Sequence, residues 1–228
     1  MHSFSKQCVG AHQLVKKSSL NAFAKTAFEL SKLEENKEIF GTAKDDPSWS
    51  PQCFGSAVEF LAENFFEHYG HVFNLVFVRS IDDWNTADKD RGIDHIAQSL
   101  KSKRYGSRQS KEGSPVYIQT KGVLDPRHVH MTNDGSRIMN FYGHAQGRAG
   151  SEGTYYQSRY VLFTLAKGLH YILEQNTYNM IEVINGTRIK KMIDKDEVFF
   201  NKLRSKLDVE EVTTSNPTQD PEFITINS

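Results

Sequence analysis

Apolar and polar positions along the chain change period several times, and each change predicts an element. Leu20, Phe23, Ala24, Ala27, Phe28, Leu30 and Leu33 recur at steps of three and four between lysines and glutamates. That spacing predicts an amphipathic helix running from Ser19, a hydroxyl N-cap, to about Glu38. Gln7 to Lys17 has a helical pattern as well. A polar, proline-containing stretch from Gly41 to Pro51 marks an internal boundary. Cys53 to Tyr69 then predicts a further amphipathic helix, with Ala57, Val58, Leu61, Ala62, Phe65 and Phe66 on its buried face and Gly70 closing it.

From there the pattern becomes extended. His71 to Arg79 is rich in β-branched and aromatic residues and predicts the first strand. Asp90 to Ala97 and Val116 to Lys121 each read as a short apolar strand with one or two polar residues pointing the other way, and the basic segment between them has the length of an elaborated hairpin connection. Tyr160 to Ala166 is almost continuously apolar, as a buried strand of a mixed sheet should be, and Ile181 to Asn185, ending at Asn-Gly, is another strand. Between the strands, Thr132-Asn133-Asp134 opens a helix to about Ala145 with Ile138, Phe141 and Tyr142 inward. Gly143 to Gly153 reads as a glycine-rich connection without a Walker pattern. Asp194 to Leu207 predicts a closing helix with Val198, Phe199, Leu203 and Leu207 on one face. The expected organisation is a helical extension over 1–46, an α/β core over 47–208 and an acidic tail of disordered composition over 209–228.

Composition adds bounds. The chain has 228 residues, 38% hydrophobic and 25% charged. This is a globular balance, and no apolar run approaches the roughly 20 residues that cross a bilayer. With no apolar h-region at the N-terminus, the expectation is a cytoplasmic protein without a membrane partner. Cys8 and Cys53 are widely separated and fit thiols better than a disulfide. Net charge is zero but uneven: Lys101, Lys103, Arg104, Arg108 and Lys111 fall together with no acid among them. Such a run either contacts a nucleic-acid backbone or is simply a solvated loop.

The chemistry-bearing residues lie where the two site strands would meet. Gln119 and Lys121, two apart, project to one side of a strand while Ile118 and Thr120 face away. Asp94 on the neighbouring strand can join them, and His95 beside it should face the opposite side. An acid, a second oxygen donor and an ammonium at one point form a metal-and-phosphate constellation. Oxygen ligands suit Mg²⁺, and a lysine can offset charge on a phosphate under attack. Gly92 permits a close backbone approach or a positive φ. Asp82, Asp83, Asp88 and Asp90 fall in the loop before this strand, and Asp90 reads as a turn residue. Arg127, His128 and His130 can face a nucleic acid, but the histidines lack zinc-ligand spacing.

Gly92-Ile93-Asp94-His95-Ile96-Ala97 followed by Tyr117-Ile118-Gln119-Thr120-Lys121 resembles the core of the PD-(D/E)XK nucleases. The likeness is to the Mrr-like, restriction-endonuclease-like branch and to nuclease domains of restriction-type helicases, where glutamine often replaces the second acid. It runs in pattern from about Gly55 to about Leu207. It implies a three-layer αβα fold with a central mixed sheet and a Mg²⁺-dependent deoxyribonuclease, with Mn²⁺ as a possible substitute. By the same resemblance Asp94 is the metal-binding aspartate, Gln119 stands at the (D/E) position and Lys121 is the motif lysine, with the Thr120 carbonyl as a further metal ligand. A glutamate on the helix before the first strand points into the site of such enzymes, for which Glu59 is the candidate and Glu63 its rival. Arg137 and Asn140, on the helix after the lysine strand, are candidates for DNA backbone contact beside Lys101, Lys103, Arg104 and Arg108. DNA is the expected partner, with a homodimer, or a helicase or other chain, as possible protein partners. A prokaryotic or phage-infected cell is the implied setting. Two other classes remain: a catalytically silent DNA-binding module on the same fold, and an assembly protein with no DNA affinity.

Overall fold

The computed structural model describes residues 9–11, 16–80, 92–105, 108–124, 128–130, 135–177 and 180–214. Helices α1 (Leu20–Leu30), α2 (Glu34–Phe40) and α3 (Pro51–Tyr69) lead into β1 (Leu75–Ser80) and β2 (His95–Ser99). Next come a hairpin of β3 (Lys103–Tyr105) and β4 (Arg108–Ser110), then β5 (Pro115–Lys121), β6 (Val129–His130) and α4 (Gly135–Ser151). The chain continues through β7 (Arg159–Thr164), β8 (Gly168–Leu169), α5 (Tyr171–Thr177), β9 (Glu182–Ile184), α6 (Gly186–Ile193) and α7 (Glu197–Thr214). Five strands form the central sheet in the order β1-β2-β5-β7-β9, antiparallel from β1 to β5 and parallel from β5 to β9. Helices cover both faces, which is the three-layer αβα arrangement with a mixed sheet that the strand pattern and the resemblance lead one to expect.

The larger core lies between the sheet and α3. There Val116, Ile118, Val161 and Phe163 meet Phe54, Leu61, Phe65 and Phe66, together with Phe199, Phe200 and Leu203 of α7. Leu20, Phe23, Ala27 and Leu30 of α1 are buried in this same cluster, so the N-terminal helices pack directly on the core. A smaller core on the other face joins Ile93, Tyr117, Tyr160 and Leu162 to Ile138, Phe141 and Ala145 of α4.

Several elements differ from the pattern-based expectation. The helix expected from Ser19 to Glu38 is two helices. Ser19 caps the first, its Oγ accepting from the Ala22 backbone N–H at 3.2 Å, but at the other end outside groups take the carbonyls. Ser50 N donates to Ser31 O at 2.8 Å, and Asn36 Nδ2 donates to Leu30 O at 2.8 Å and to Val9 O at 3.0 Å. Within Gln7–Lys17, residues 9–10 form a turn and 16–17 a bend, and 7–8 and 12–15 lie outside the described residues, as does Cys8; Cys53 is buried. His71–Phe73 belong to a 3₁₀ turn, and β1 begins only after Asn74 at φ 55°. The glycine-rich segment is helical as far as Ser151. Its buried side is carried by Ala145 and Ala149, while a Cβ at Gly143, Gly147 or Gly150 would meet nothing within 4 Å. Asn185-Gly186 starts a helix, with Asn185 Oδ1 accepting from Arg188 N at 3.0 Å. In the closing helix Phe200 takes the inward place expected of Val198, which is exposed, and the helix runs on to Thr214.

Candidate active site

The alternation of β5 decides which groups meet. Val116 and Ile118 enter the core under α3, whereas Tyr117 enters the one under α4, so Gln119 and Lys121 fall on the α4 face. The antiparallel register sets His95 opposite Ile118 and Ile96 opposite Tyr117. The paired register ends at His95, so Asp94 is placed by its own hydrogen bonds rather than by the ladder.

Backbone geometry fixes the aspartate. Asp94 N donates to Ile118 O at 2.9 Å, and the Thr120 amide donates to Asp94 Oδ2 at 2.6 Å. This holds the carboxylate against the strand that carries Gln119 and Lys121. Gly92 approaches from above with φ +77°, and a Cβ there would stand 2.5 Å from Gln119 Nε2. Glycine is therefore required on both counts raised by the sequence, the positive φ and the close approach. Gln119 is 2% exposed, and its buried Oε1 has no hydrogen-bond partner among the described residues. A buried amide oxygen left this way costs about 1–3 kcal/mol, which marks it as shaped for something other than the fold. On the reverse face His95 Nε2 lies 3.1 Å from Thr120 Oγ1 and its ring 5.9 Å from that of Phe77, so it points away from Asp94 as the alternation requires.

Lys121 is half-buried and opens onto a cavity of about 240 Å³. His128, His130 and Arg137 line the same cavity. His130 is buried with Nε2 2.8 Å from Thr164 Oγ1, and that oxygen accepts from Ala166 N at 3.1 Å. Tyr117 completes the floor of the α4 face farther along β5. Its hydroxyl donates to Glu152 Oε2 at 2.7 Å, and burial together with that carboxylate raises its pKa, keeping it a neutral donor.

The remaining sequence candidates are distributed unequally. Arg137 and Asn140 are exposed on the first turns of α4, and Arg137 shares the cavity with Lys121. Glu59 is half-buried on α3, as is Glu63. That helix covers the opposite face, although its Val58 Cγ2 lies 3.1 Å from where a Cβ on Gly122 would be, so Glu59 sits at the same end of the sheet as Lys121. Lys101, Lys103 and Arg104 are exposed at the β3–β4 hairpin, which leaves the sheet where Gln98 pairs with Pro115. At about 3.3 Å per residue, that base is roughly 13 Å along β5 from Gln119, at the other end of the strand. Arg108 belongs to β4, and its side chain lies outside the described residues, as do Asp82, Asp83, Asp88, Asp90 and Arg127. Among the described residues no group of three or more His, Cys, Asp or Glu is gathered to hold a metal, and no helix is long and apolar enough to cross a membrane. The histidines of the cavity carried a sequence signal in retrospect: His128 and His130 are two apart in extended chain and so share a side.

No protein-family model matches the chain, and no curated protein matches it. Among solved structures it is similar to the MspJI restriction endonuclease in complex with a 27-mer oligonucleotide, with TM-score 0.38 and 12% identity. The alignment covers 65% of this chain and 31% of that one.

The donor set suits a hard cation. Asp94 offers a carboxylate, Gln119 an amide oxygen with no partner among the described residues, and Thr120, next to Gln119 in sequence, a main-chain carbonyl. All are oxygens, as Mg²⁺ and Mn²⁺ prefer.

Proposed function

We propose that this chain is a metal-dependent deoxyribonuclease that hydrolyses phosphodiester bonds, acting as an endonuclease. The observation that carries the reading is the buried Oε1 of Gln119, which has no hydrogen-bond partner among the described residues, beside the Thr120 amide that holds the Asp94 carboxylate, with Lys121 on the same face of β5 as Gln119. Asp94, Gln119 and the Thr120 carbonyl would hold Mg²⁺ or Mn²⁺, with Glu59 adding charge from α3. The bound cation would supply Lewis-acid neutralisation of the scissile phosphate. Lys121 then orients the attacking water and donates to the oxygens on which negative charge develops. The Thr120 amide keeps the Asp94 carboxylate in register with the phosphate.

One observation favours a second reading, a catalytically silent DNA-binding module. Gln119 stands where the resembled motif has an acid, and among the described residues no group of three or more His, Cys, Asp or Glu is gathered to hold a metal. A neutral amide is a weaker Mg²⁺ ligand, so the cation would be held with less charge compensation. Incubating the chain with supercoiled and linear plasmid in Mg²⁺, Mn²⁺ or EDTA, beside Lys121→Ala, separates the two. Metal-dependent cutting by the wild type alone supports the nuclease. Retardation of DNA without cutting in either metal supports the silent module.

A further inference from the structure

The cavity beside Lys121 has a composition that phosphodiester hydrolysis alone does not call for. Three separate segments converge on it: Lys121 from the end of β5, His128 and His130 at β6, and Arg137 from the first turn of α4. Val123 and Ile138 give it apolar walls, and no acid is among the described residues that line it. Its lining includes Arg137 and Ile138 near the start of a 17-residue helix, the end at which the helix dipole favours an anion.

We propose that this cavity receives a terminal phosphate of a DNA strand, so that the chain recognises phosphorylated DNA ends. The inference rests on the nuclease reading only in taking DNA as the ligand. A phosphate within a strand carries one negative charge and needs an open path on both sides. A phosphomonoester carries about −1.5 to −2 at neutral pH and ends in three acceptor oxygens. Two permanent cations, Lys121 and Arg137, match that charge, and a concave site closed by three segments matches a group where the chain stops. Arg137 can grip two oxygens at once with its planar fork, which a solvated lysine does not do. Because Lys121 borders both this cavity and the Asp94–Gln119 face, a seated end places the next phosphate of the strand toward the proposed metal ligands.

The test is binding of the full chain to three fluorescent duplexes of identical sequence, in EDTA so that no hydrolysis intervenes. They carry 5′-phosphate, 3′-phosphate or hydroxyl at both ends. One of the phosphorylated duplexes should bind about tenfold tighter than the hydroxyl form, the worth of one charge-assisted hydrogen bond. Which of the two it is identifies the recognised end. Arg137→Gln, an exposed substitution, should bring that ratio close to one, and Arg137→Lys should restore part of it. Equal affinity for all three duplexes, or a preference that survives Arg137→Gln, would overturn the proposal. A preference without any cutting in Mg²⁺ would retain the phosphate site and remove the nuclease, whereas cutting without a preference would do the reverse.

Discussion

The two faces of β5 are built from alternate residues of one strand, yet they do opposite things. Toward α3, Val116 and Ile118 enter a cluster filled by Phe65, Phe66, Phe163, Phe199 and Leu203, and the polar pair there, His95 and Thr120, hydrogen-bond to each other. Toward α4, Tyr117, Gln119 and Lys121 share a smaller core with an amide oxygen left unpaired and a cationic cavity at its end. The difference teaches where stability resides. One face buries enough apolar surface to hold the strand in place, and this lets the other carry groups that burial disfavours. The sharpest way to break that comparison is to cut into the large face. Phe163 is fully buried with ring centroids 5.3 Å from Phe65 and 5.5 Å from Phe66. Phe163→Ala should cost about 3–5 kcal/mol in urea denaturation followed by circular dichroism. A loss under about 1 kcal/mol would mean that this face does not carry the fold.

Gly92→Ala strikes the other face through its backbone. The positive φ alone costs about 1–2 kcal/mol in an L-residue, and the new methyl must push the Gln119 amide aside. Stability should therefore fall by about 2 kcal/mol, and the rise in melting temperature expected on adding Mn²⁺ should vanish with it. Retention of that rise would show that Gln119 does not need its present position to meet a cation.

The parts of this arrangement legible in the sequence are those set by local periodicity. A period of two puts Gln119 and Lys121 on one face and His95 on the other whatever the rest of the chain does, and the structure has them so. Gly92 was readable because few backbone roles other than positive φ or close approach favour glycine before an apolar strand. The break between α1 and α2 was not, because Ser50 and Val9, far off in sequence, settle it by taking or meeting groups at the helix end. The glycines of α4 misled for a related reason. Ala145 and Ala149 hold the helix to the sheet, and a local propensity cannot report that docking. Charge was the least informative signal about place. The basic run read as the connection between the two site strands, and its hairpin leaves the sheet at the end of β5 away from Gln119. Arg137 and the two histidines are brought to Lys121 only by tertiary packing.

That placement predicts a separation of effects by the next substitution. Gln119→Leu keeps the volume and removes the orphan oxygen, so without metal the protein should gain about 1 kcal/mol of stability. The same variant should lose the Mn²⁺-dependent rise in melting temperature. A destabilised Gln119→Leu would mean that the amide oxygen is satisfied in solution, and the contrast between the faces would weaken.

The smallest expected effect lies on the large face and depends on pH. Asp196 sits before α7, accepting from Phe199 N at 3.0 Å and from the Tyr69 hydroxyl of α3, with His68 Nε2 3.8 Å away. Burial works to raise its pKa, but the hydrogen bonds from Tyr69 and the Phe199 amide, together with His68, outweigh it and hold the carboxyl below its ordinary 3.8. A carboxyl whose pKa is lower in the folded state contributes its full stability above the unfolded value, and loses it as the pH falls through the folded one. Asp196→Ala should therefore cost about 1 kcal/mol at neutral pH, the usual worth of a helix cap. The urea midpoints of variant and wild type should converge as the pH falls below about 4. Tyr69 stays protonated through the alkaline range, because burial and Asp196 raise its pKa, so the same bond should persist there. Midpoints that stay equally far apart down to acid pH would place the acid sensitivity of the fold elsewhere, for instance at Glu67, whose carboxyl Lys206 and Lys202 hold low against the opposing effect of burial. Converging midpoints would show α3 and α7 clamped by a charge at one end of the apolar face, and that clamp lies on the face opposite Asp94 and Gln119.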